Sequence, residues 1–280
     1  MKNLPFLVVT NLKFNKFVYF IMISSFLCFL LLTFGFIKGA YTVLNPQKSK
    51  LIVSQENSTE QSIHKKDSIM IVSLGDSITR GVGDDEGQGY VRRVKETLEK
   101  DYNQTSTISN LAVSGAKTSD LVTQLNNKSV QEAIRTADTI MLSIGGNDLF
   151  PGADQLNQQF LKSYRPDEKT FQKNLQTIFQ QIRKQNQSAP IYALGYYNPF
   201  HNVEGLDASS SFVSKWNEIL EQTVLQLDNA YVIPTFDLFY NEEEKYLYTD
   251  HFHPNKAGYI EMANRLSKKI GSQLRGEKNE

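Results

Sequence analysis

Residues 68–81 read "SIMIVSLGDSITRG", a short apolar run that meets a glycine, an acid and a hydroxyl with no spacer. A continuous apolar run of this length marks a strand buried on both faces. Two readings compete for the residues after it. Gly, Asp, Ser and Thr punctuate chains, so Asp76 and Ser77 fit a turn or a helix cap. Open α/β sheets also hold their chemistry just beyond the carboxyl ends of their strands, so Ser77 equally fits a serine presented at such an edge. The tetrapeptide alone does not choose between them. Partners elsewhere in the chain must.

Downstream, strand-like and helix-like segments alternate. "GYVRRVKETLEKDY" (89–102) sets Val91, Val94 and Leu98 on one helical face. "STISNLAVS" (106–114) is strand-like, "TSDLVTQLNN" (118–127) opens on a helix-start signal, and "DTIMLSIG" (138–145) is another buried strand. "TFQKNLQTIFQQIRKQN" (170–186) is a helix and "PIYALGYYN" (190–198) a strand. "SFVSKWNEILEQTVLQL" (211–227) is a helix, "AYVIPTFDLF" (230–239) a strand that Pro234 can end early, and "NKAGYIEMANRLSKKI" (255–270) a closing helix. This order predicts a central parallel sheet with helices on both faces, a three-layer α/β/α sandwich. Residues 198–211, "NPFHNVEGLDASSS", read as a long loop of the kind that forms lids and substrate-binding edges.

The N-terminus differs in kind. Residues 17–37, "FVYFIMISSFLCFLLLTFGFI", carry no charge, and roughly 20 apolar residues span a bilayer core as a helix. Lys2, Lys13 and Lys16 precede the run, which favours a cytoplasmic N-terminus at 1–16 and an exported remainder, although Lys38 follows it. The run exceeds the ~7–15 apolar residues of a cleaved signal peptide and lacks a clear A-x-A site. The expectation is therefore a transmembrane anchor at 17–37, with secretion as the alternative. Residues 38–66 are polar and of mixed charge, a linker in which only "KLIVS" is strand-like and in which His64 is solvated. The folded domain is then 67–275, and 276–280 is a tail.

Composition narrows the chemistry. Lys plus Arg and Asp plus Glu each number 30 in 280 residues, so no basic field exists to attract nucleic acid. The single cysteine, Cys28, excludes a disulfide framework and a cysteine-based metal site. Nothing resembles a P-loop or a dinucleotide fingerprint, so no cofactor is expected. Asp84, Asp85 and Glu86 in "GDDEGQG" raise the question of calcium, but their spacing fits no standard loop and a solvated turn is the expected reading.

The other strand ends supply candidate partners for Ser77. Asn110 and Gly115 follow the second strand, "GGND" (145–148) follows the third, and "DHFHP" (250–254) precedes the last helix. In a parallel sheet all of these meet at the carboxyl edge. A serine hydroxyl becomes a useful nucleophile when a base removes its proton, and histidine titrates near neutrality, so Ser77 and His253 are the expected nucleophile and base. Asp250, three residues before His253, can reach the imidazole Nδ1–H and fix its tautomer. His251 is the rival base, and His201, in the long loop, is a more distant one.

"GDSIT", Gly115, "GGND" and "DHFHP" resemble, in order, the four blocks of the GDSL-type, or SGNH, serine hydrolases. The resemblance spans 67–275 and is nearest in feel to membrane-anchored bacterial lipase/acylhydrolase-like members. It implies a flavodoxin-like domain and ester hydrolysis without a metal. It also implies an oxyanion hole formed by the Ser77 N–H, the Gly115 N–H and the Asn147 side-chain amide. Asp76 is expected to shape the turn, Asp148 to brace the Asn147 loop and Asn110 to tie the blocks together. Phe150, Tyr196, Tyr197 and Phe200 are either acyl-pocket or core residues. The expected function is a membrane-tethered, extracytoplasmic serine esterase acting on a small-molecule, lipid or polysaccharide ester. The alternatives are an O-acetylesterase of cell-wall or surface polysaccharide and a non-catalytic binding module on the same scaffold.

Overall fold

The computed structural model describes residues 22, 24–34, 68–150 and 163–276. The chain divides into two units, Met1–Ile63 and His64–Glu280. In the first, residues 24–34 are helical and most of their apolar side chains are exposed. Among the described residues no helix is long and apolar enough to cross a membrane. The rest of the 17–37 span, the whole of 38–66 with "KLIVS" and His64, and residues 277–280 lie outside the described residues.

The second unit runs β1 (Ser68–Gly75), α1 (Ser77–Arg80), α2 (Gly89–Tyr102), β2 (Thr105–Asn110), α3 (Thr118–Gln124), α4 (Lys128–Thr136), β3 (Thr139–Ser143) and α5 (Gly146–Leu149). It continues with α6 (Glu168–Gln185), β4 (Ile191–Leu194), α7 (Ala208–Val224), β5 (Ala230–Ile233), α8 (Phe236–Phe239), α9 (Glu243–Tyr246) and α10 (Lys256–Leu274). The five strands form one sheet in the order β2-β1-β3-β4-β5, and every pairing is parallel. The winding reverses between β1 and β3, the switch point at which sheets of this order open a crevice beyond the strand ends.

Strand periodicity divides the core in two. Val72, Leu74, Ile140, Leu142, Ile191 and Ala193 face one layer, against Leu121, Ile134, Ile178 and Trp216 from α3, α4, α6 and α7. Ile69, Ile71, Met141, Tyr192 and Leu194 face the other, against Val94 and Leu98 of α2 and Tyr259 and Leu266 of α10. Alternate side chains thus serve opposite layers, which is why the strands read as unbroken apolar runs. Each such fully buried side chain contributes roughly 1.5–3 kcal/mol. Asp167 caps α6 by accepting the Thr170 N–H, and Asn255 caps α10 by accepting the Gly258 N–H.

Three segments depart from the sequence reading. β2 stops at Asn110, and Val113 beyond it is exposed, so "LAVS" belongs to the loop. β5 stops at Ile233 because Pro234 has no N–H to donate, and residues 236–239, read as strand, form one helical turn. Helix α4 goes unread in the sequence: it starts at an Asn127 cap and buries only Val130 and Ile134 within a polar stretch.

Candidate active site

The site grows from the end of β1. Gly75 has φ +126°, and a Cβ there would lie 1.7 Å from the Ser143 carbonyl oxygen, so only glycine lets β1 pass β3 this closely. The Asp76 N–H donates to that carbonyl at 3.0 Å. Asp76 Oδ1 accepts the Ile78 N–H at 3.1 Å and caps α1, which Gly81 ends in the left-handed region. The cap is what makes Ser77 the first residue of a helical turn at the sheet's carboxyl edge.

A buried polar chain lies behind this turn. The Ser143 hydroxyl donates to Asp76 Oδ1 at 2.7 Å and accepts the Thr79 N–H at 3.0 Å. Thr79 Oγ1 is 2.6 Å from Ser143 Oγ and 2.7 Å from the Tyr90 hydroxyl. Sequence reasoning missed Ser143, Thr79 and Tyr90. The one available signal was a serine that directly follows the apolar "IML" of β3.

Burial pushes the Asp76 carboxyl from 3.8 up to about 6, against the hydrogen bonds from Ser143 and Ile78. The folded chain therefore holds this proton to higher pH than the unfolded chain. Stability falls as pH rises from 3.8 towards 6, and above that the cost is complete, on the order of 3 kcal/mol at ~1.4 kcal/mol per unit. Both hydrogen bonds end on Oδ1, which an asparagine retains. Asp76→Asn is expected to be more stable than the wild type by about 1–3 kcal/mol at pH 8, with the gap closing near pH 4. Urea denaturation across that range checks this, and a gap that does not grow with pH would refute it.

Ser77 Oγ and His253 Nε2 are 2.9 Å apart, although 176 residues separate them in sequence. His253 Nδ1 is 2.6 Å from Asp250 Oδ2. Asp250 Oδ1 accepts the N–H groups of Phe252 and His253, both at 3.0 Å, so the carboxylate also shapes the loop that carries the imidazole. Partial burial raises the pKa of Asp250, but hydrogen bonds from the His253 side chain and from the His253 and Phe252 backbones outweigh it and hold the group below 3.8. It is ionised at neutral pH. His251 is exposed, at φ +53°, and among the described residues its ring makes no hydrogen bond. His201 packs on Tyr240 with ring centroids 4.2 Å apart and has Nδ1 3.4 Å from Ser210 Oγ.

Ser77, Gly115 and Asn147 line one groove. Among the described residues the Ser77 and Gly115 N–H groups donate to no protein acceptor, and a Cβ on Gly115 would meet nothing within 4 Å. Asn147 spends one of its two amide hydrogens on the Ala116 carbonyl at 3.0 Å, which fixes its side chain and leaves the other free to donate. Asp148 accepts the Thr118 N–H at 2.8 Å and the Thr118 hydroxyl, and so joins the "GGND" turn to the loop after Gly115. Its burial raises its pKa despite these bonds. Asn110 Nδ2 donates to the Thr79 carbonyl at 2.8 Å and ties β2 to α1.

Two hollows meet at Ser77. One is an apolar hollow whose walls include Leu149, Phe150, Leu194, Tyr196, Tyr197 and Met262. Phe200 is core, edge-on to Phe150. The other is a roomier, more open groove past Val82, Gly115 and His253. Ser77, Asn147, Phe150 and Phe252 line both. The acidic loop is engaged elsewhere: Asp84 is buried, pairs with Arg93 and accepts the Gly89 N–H, while Glu86 pairs with Arg93 and Lys256. Arg93 and Lys256 thus take Asp84 Oδ2 and both Glu86 carboxylate oxygens.

A model of the GDSL-like lipase/acylhydrolase family matches residues 73–259. YpmR of Bacillus subtilis (strain 168), an uncharacterized protein, is 34% identical over 213 residues, 73% of this chain and 82% of that one. The spore germination lipase LipC of Bacillus licheniformis is 30% identical over 207 residues, 71% of this chain and 94% of that one. The crystal structure of the lipase Lip_vut3 from a goat rumen metagenome has a TM-score of 0.64 at 27% identity and covers 74% of this chain and 99% of that one. A family match that runs through all four motif blocks, on a sheet that gathers them at one edge, places this chain in the GDSL-like lipase/acylhydrolase family, hydrolases of carboxylic esters.

Proposed function

We propose that the chain is a membrane-tethered, extracytoplasmic serine esterase that cleaves carboxylic esters through an acyl-enzyme. The observation that carries this reading is the 2.9 Å approach of Ser77 Oγ to His253 Nε2, with Asp250 2.6 Å behind the ring, at the mouth of an apolar cavity. His253 takes the Ser77 proton as the oxygen attacks the ester carbonyl, and then returns it to the leaving alkoxide. Asp250 holds Nδ1–H towards itself, so that Nε2 is the basic nitrogen, and stabilises the imidazolium. The Ser77 and Gly115 N–H groups and the Asn147 amide receive the oxyanion. Water then repeats the sequence on the acyl-enzyme.

The acyl chain is assigned to the more enclosed hollow and the alcohol to the open groove. The name of the LipC relative supports a lipid-like ester. The uncharged run at 17–37 supports a tether to the outer face of a membrane. The test is turnover of p-nitrophenyl esters from acetyl to dodecanoyl by the full chain in detergent, with membrane fractionation of the native chain. Turnover that rises beyond acetyl supports the reading. Turnover confined to acetyl would make the chain an O-acetylesterase, and recovery in the soluble fraction would remove the tether. Asn147→Ala is expected to lower kcat by about 10²–10³ and to change KM much less, because its donor acts on charge that develops during reaction. Steady-state kinetics on any turned-over ester checks this.

A further inference from the structure

The loop that carries the imidazole is tied mostly to itself. Tyr248 N–H donates to the His253 carbonyl at 2.7 Å, His251 N–H to the Tyr248 carbonyl at 2.9 Å, and Asp250 caps the Phe252 and His253 N–H groups. Each of these bonds fixes the loop's shape and none fixes its place over Ser77. His253 and Pro254 pack closely on Gly83, and apart from the Ser77–His253 bond itself residues 249–253 make, among the described residues, one hydrogen bond to the body of the fold: the Tyr197 hydroxyl donates to the Phe252 carbonyl at 2.7 Å. Tyr197 stands just past β4, and its ring is stacked on Phe239 at 4.1 Å between centroids, so the donor itself is held. Phe252, the residue so gripped, sets its ring edge-on to the His253 imidazole at 5.2 Å.

We infer that Tyr197 is a positioning residue for His253: its hydroxyl, through the Phe252 carbonyl, sets the imidazole at hydrogen-bonding distance from Ser77. The inference rests on His253 being the base of the reaction proposed above. Burial, with the nearby Asp76 and Asp250 charges, raises the phenol's pKa well above 10, so the hydroxyl keeps its proton and donates at every working pH. The same ring walls the apolar cavity, so one residue borders the acyl chain and anchors the base.

Tyr197→Phe keeps the ring, its stacking and the cavity wall, and removes only the donor. In the full chain, kcat for a p-nitrophenyl ester is expected to fall about 10–100-fold, the scale of an ångström's misplacement of a reacting group, with KM within about twofold. Rates are expressed per active site, counted by fluorophosphonate titration, so a smaller folded fraction does not imitate the effect. The low-field proton signal of the His253–Asp250 hydrogen bond is expected to broaden or shift. Tyr192→Phe, which loses a hydroxyl contact to Gln273 at the opposite end of the sheet, serves as the control and is expected to keep kcat. A Tyr197→Phe chain with unchanged kcat per site and an unchanged proton signal would overturn the inference, even if it melts earlier. A wild-type crystal structure with the Phe252 carbonyl turned away from Tyr197 would overturn it as well. Failure of fluorophosphonate to react at Ser77 in the wild type would instead sink the reaction on which the inference rests.

Discussion

Ser77→Ala is expected to reduce ester turnover by about 10⁴–10⁶-fold while leaving the fold intact. The hydroxyl removed is, among the described residues, the one side-chain group hydrogen-bonded to His253 Nε2, at 2.9 Å. Alanine at the first position of α1 loses nothing else, because the turn is held by Asp76, Ser143 and Gly81 rather than by the Ser77 side chain. Ser114 lines the groove nearby, but among the described residues no imidazole is bonded to it. His253→Gln should fall by a similar factor. The double variant should lose little more than either single one, because the two groups act as a unit. Ester kinetics on the three variants, with circular dichroism to verify folding, tests this. Independent, multiplicative losses would contradict a shared proton-transfer step.

Asp250→Asn is expected to cost about 10²–10⁴ in kcat. The asparagine oxygen can still accept the Phe252 and His253 N–H groups that now end on Oδ1, so the loop keeps its shape. The change falls on the other oxygen. Oδ2 receives the Nδ1 proton at 2.6 Å, and an amide nitrogen there presents a hydrogen of its own. The ring then favours the tautomer protonated at Nε2, which cannot take the Ser77 proton. The Asp250 side chain is 40% exposed, so water relieves part of the mismatch and the lower half of the range is expected. Steady-state kinetics checks this, and a loss under threefold would mean that the carboxylate only shapes the loop.

Long-range periodic signals are legible in this sequence and short or non-local ones are not. The alternation of strand and helix was legible because Val91, Val94 and Leu98, or Phe171, Leu175 and Ile178, repeat at helical spacing over many residues. Single turns such as 236–239 and 243–246 are too short to show a period, and "TFDLF" passed for strand because its aromatic residues suit either form. Helix α4 escaped because two buried residues, Val130 and Ile134, are too few to mark a face. Several of the residues that surround Ser77 in space were legible as types in a pattern: Asp76 follows Gly75, Asn147 follows Gly146 and His253 precedes Pro254. Asp76 illustrates the limit: its cap to Ile78 is local and readable, whereas its bond to Ser143 spans 67 residues. Tyr197 and Phe252 are 55 residues apart and meet only because β4 and the last loop end at one rim.

One serine, activated by one histidine, forms the acyl-enzyme in the mechanism proposed for this chain. Reacting the full chain with a fluorophosphonate, digesting it and locating the adduct by mass spectrometry probes that step without an assumed substrate. A single adduct on Ser77, lost in His253→Gln, is expected. An adduct on Ser114 or elsewhere, or undiminished labelling of Ser77 in His253→Gln, would contradict the mechanism.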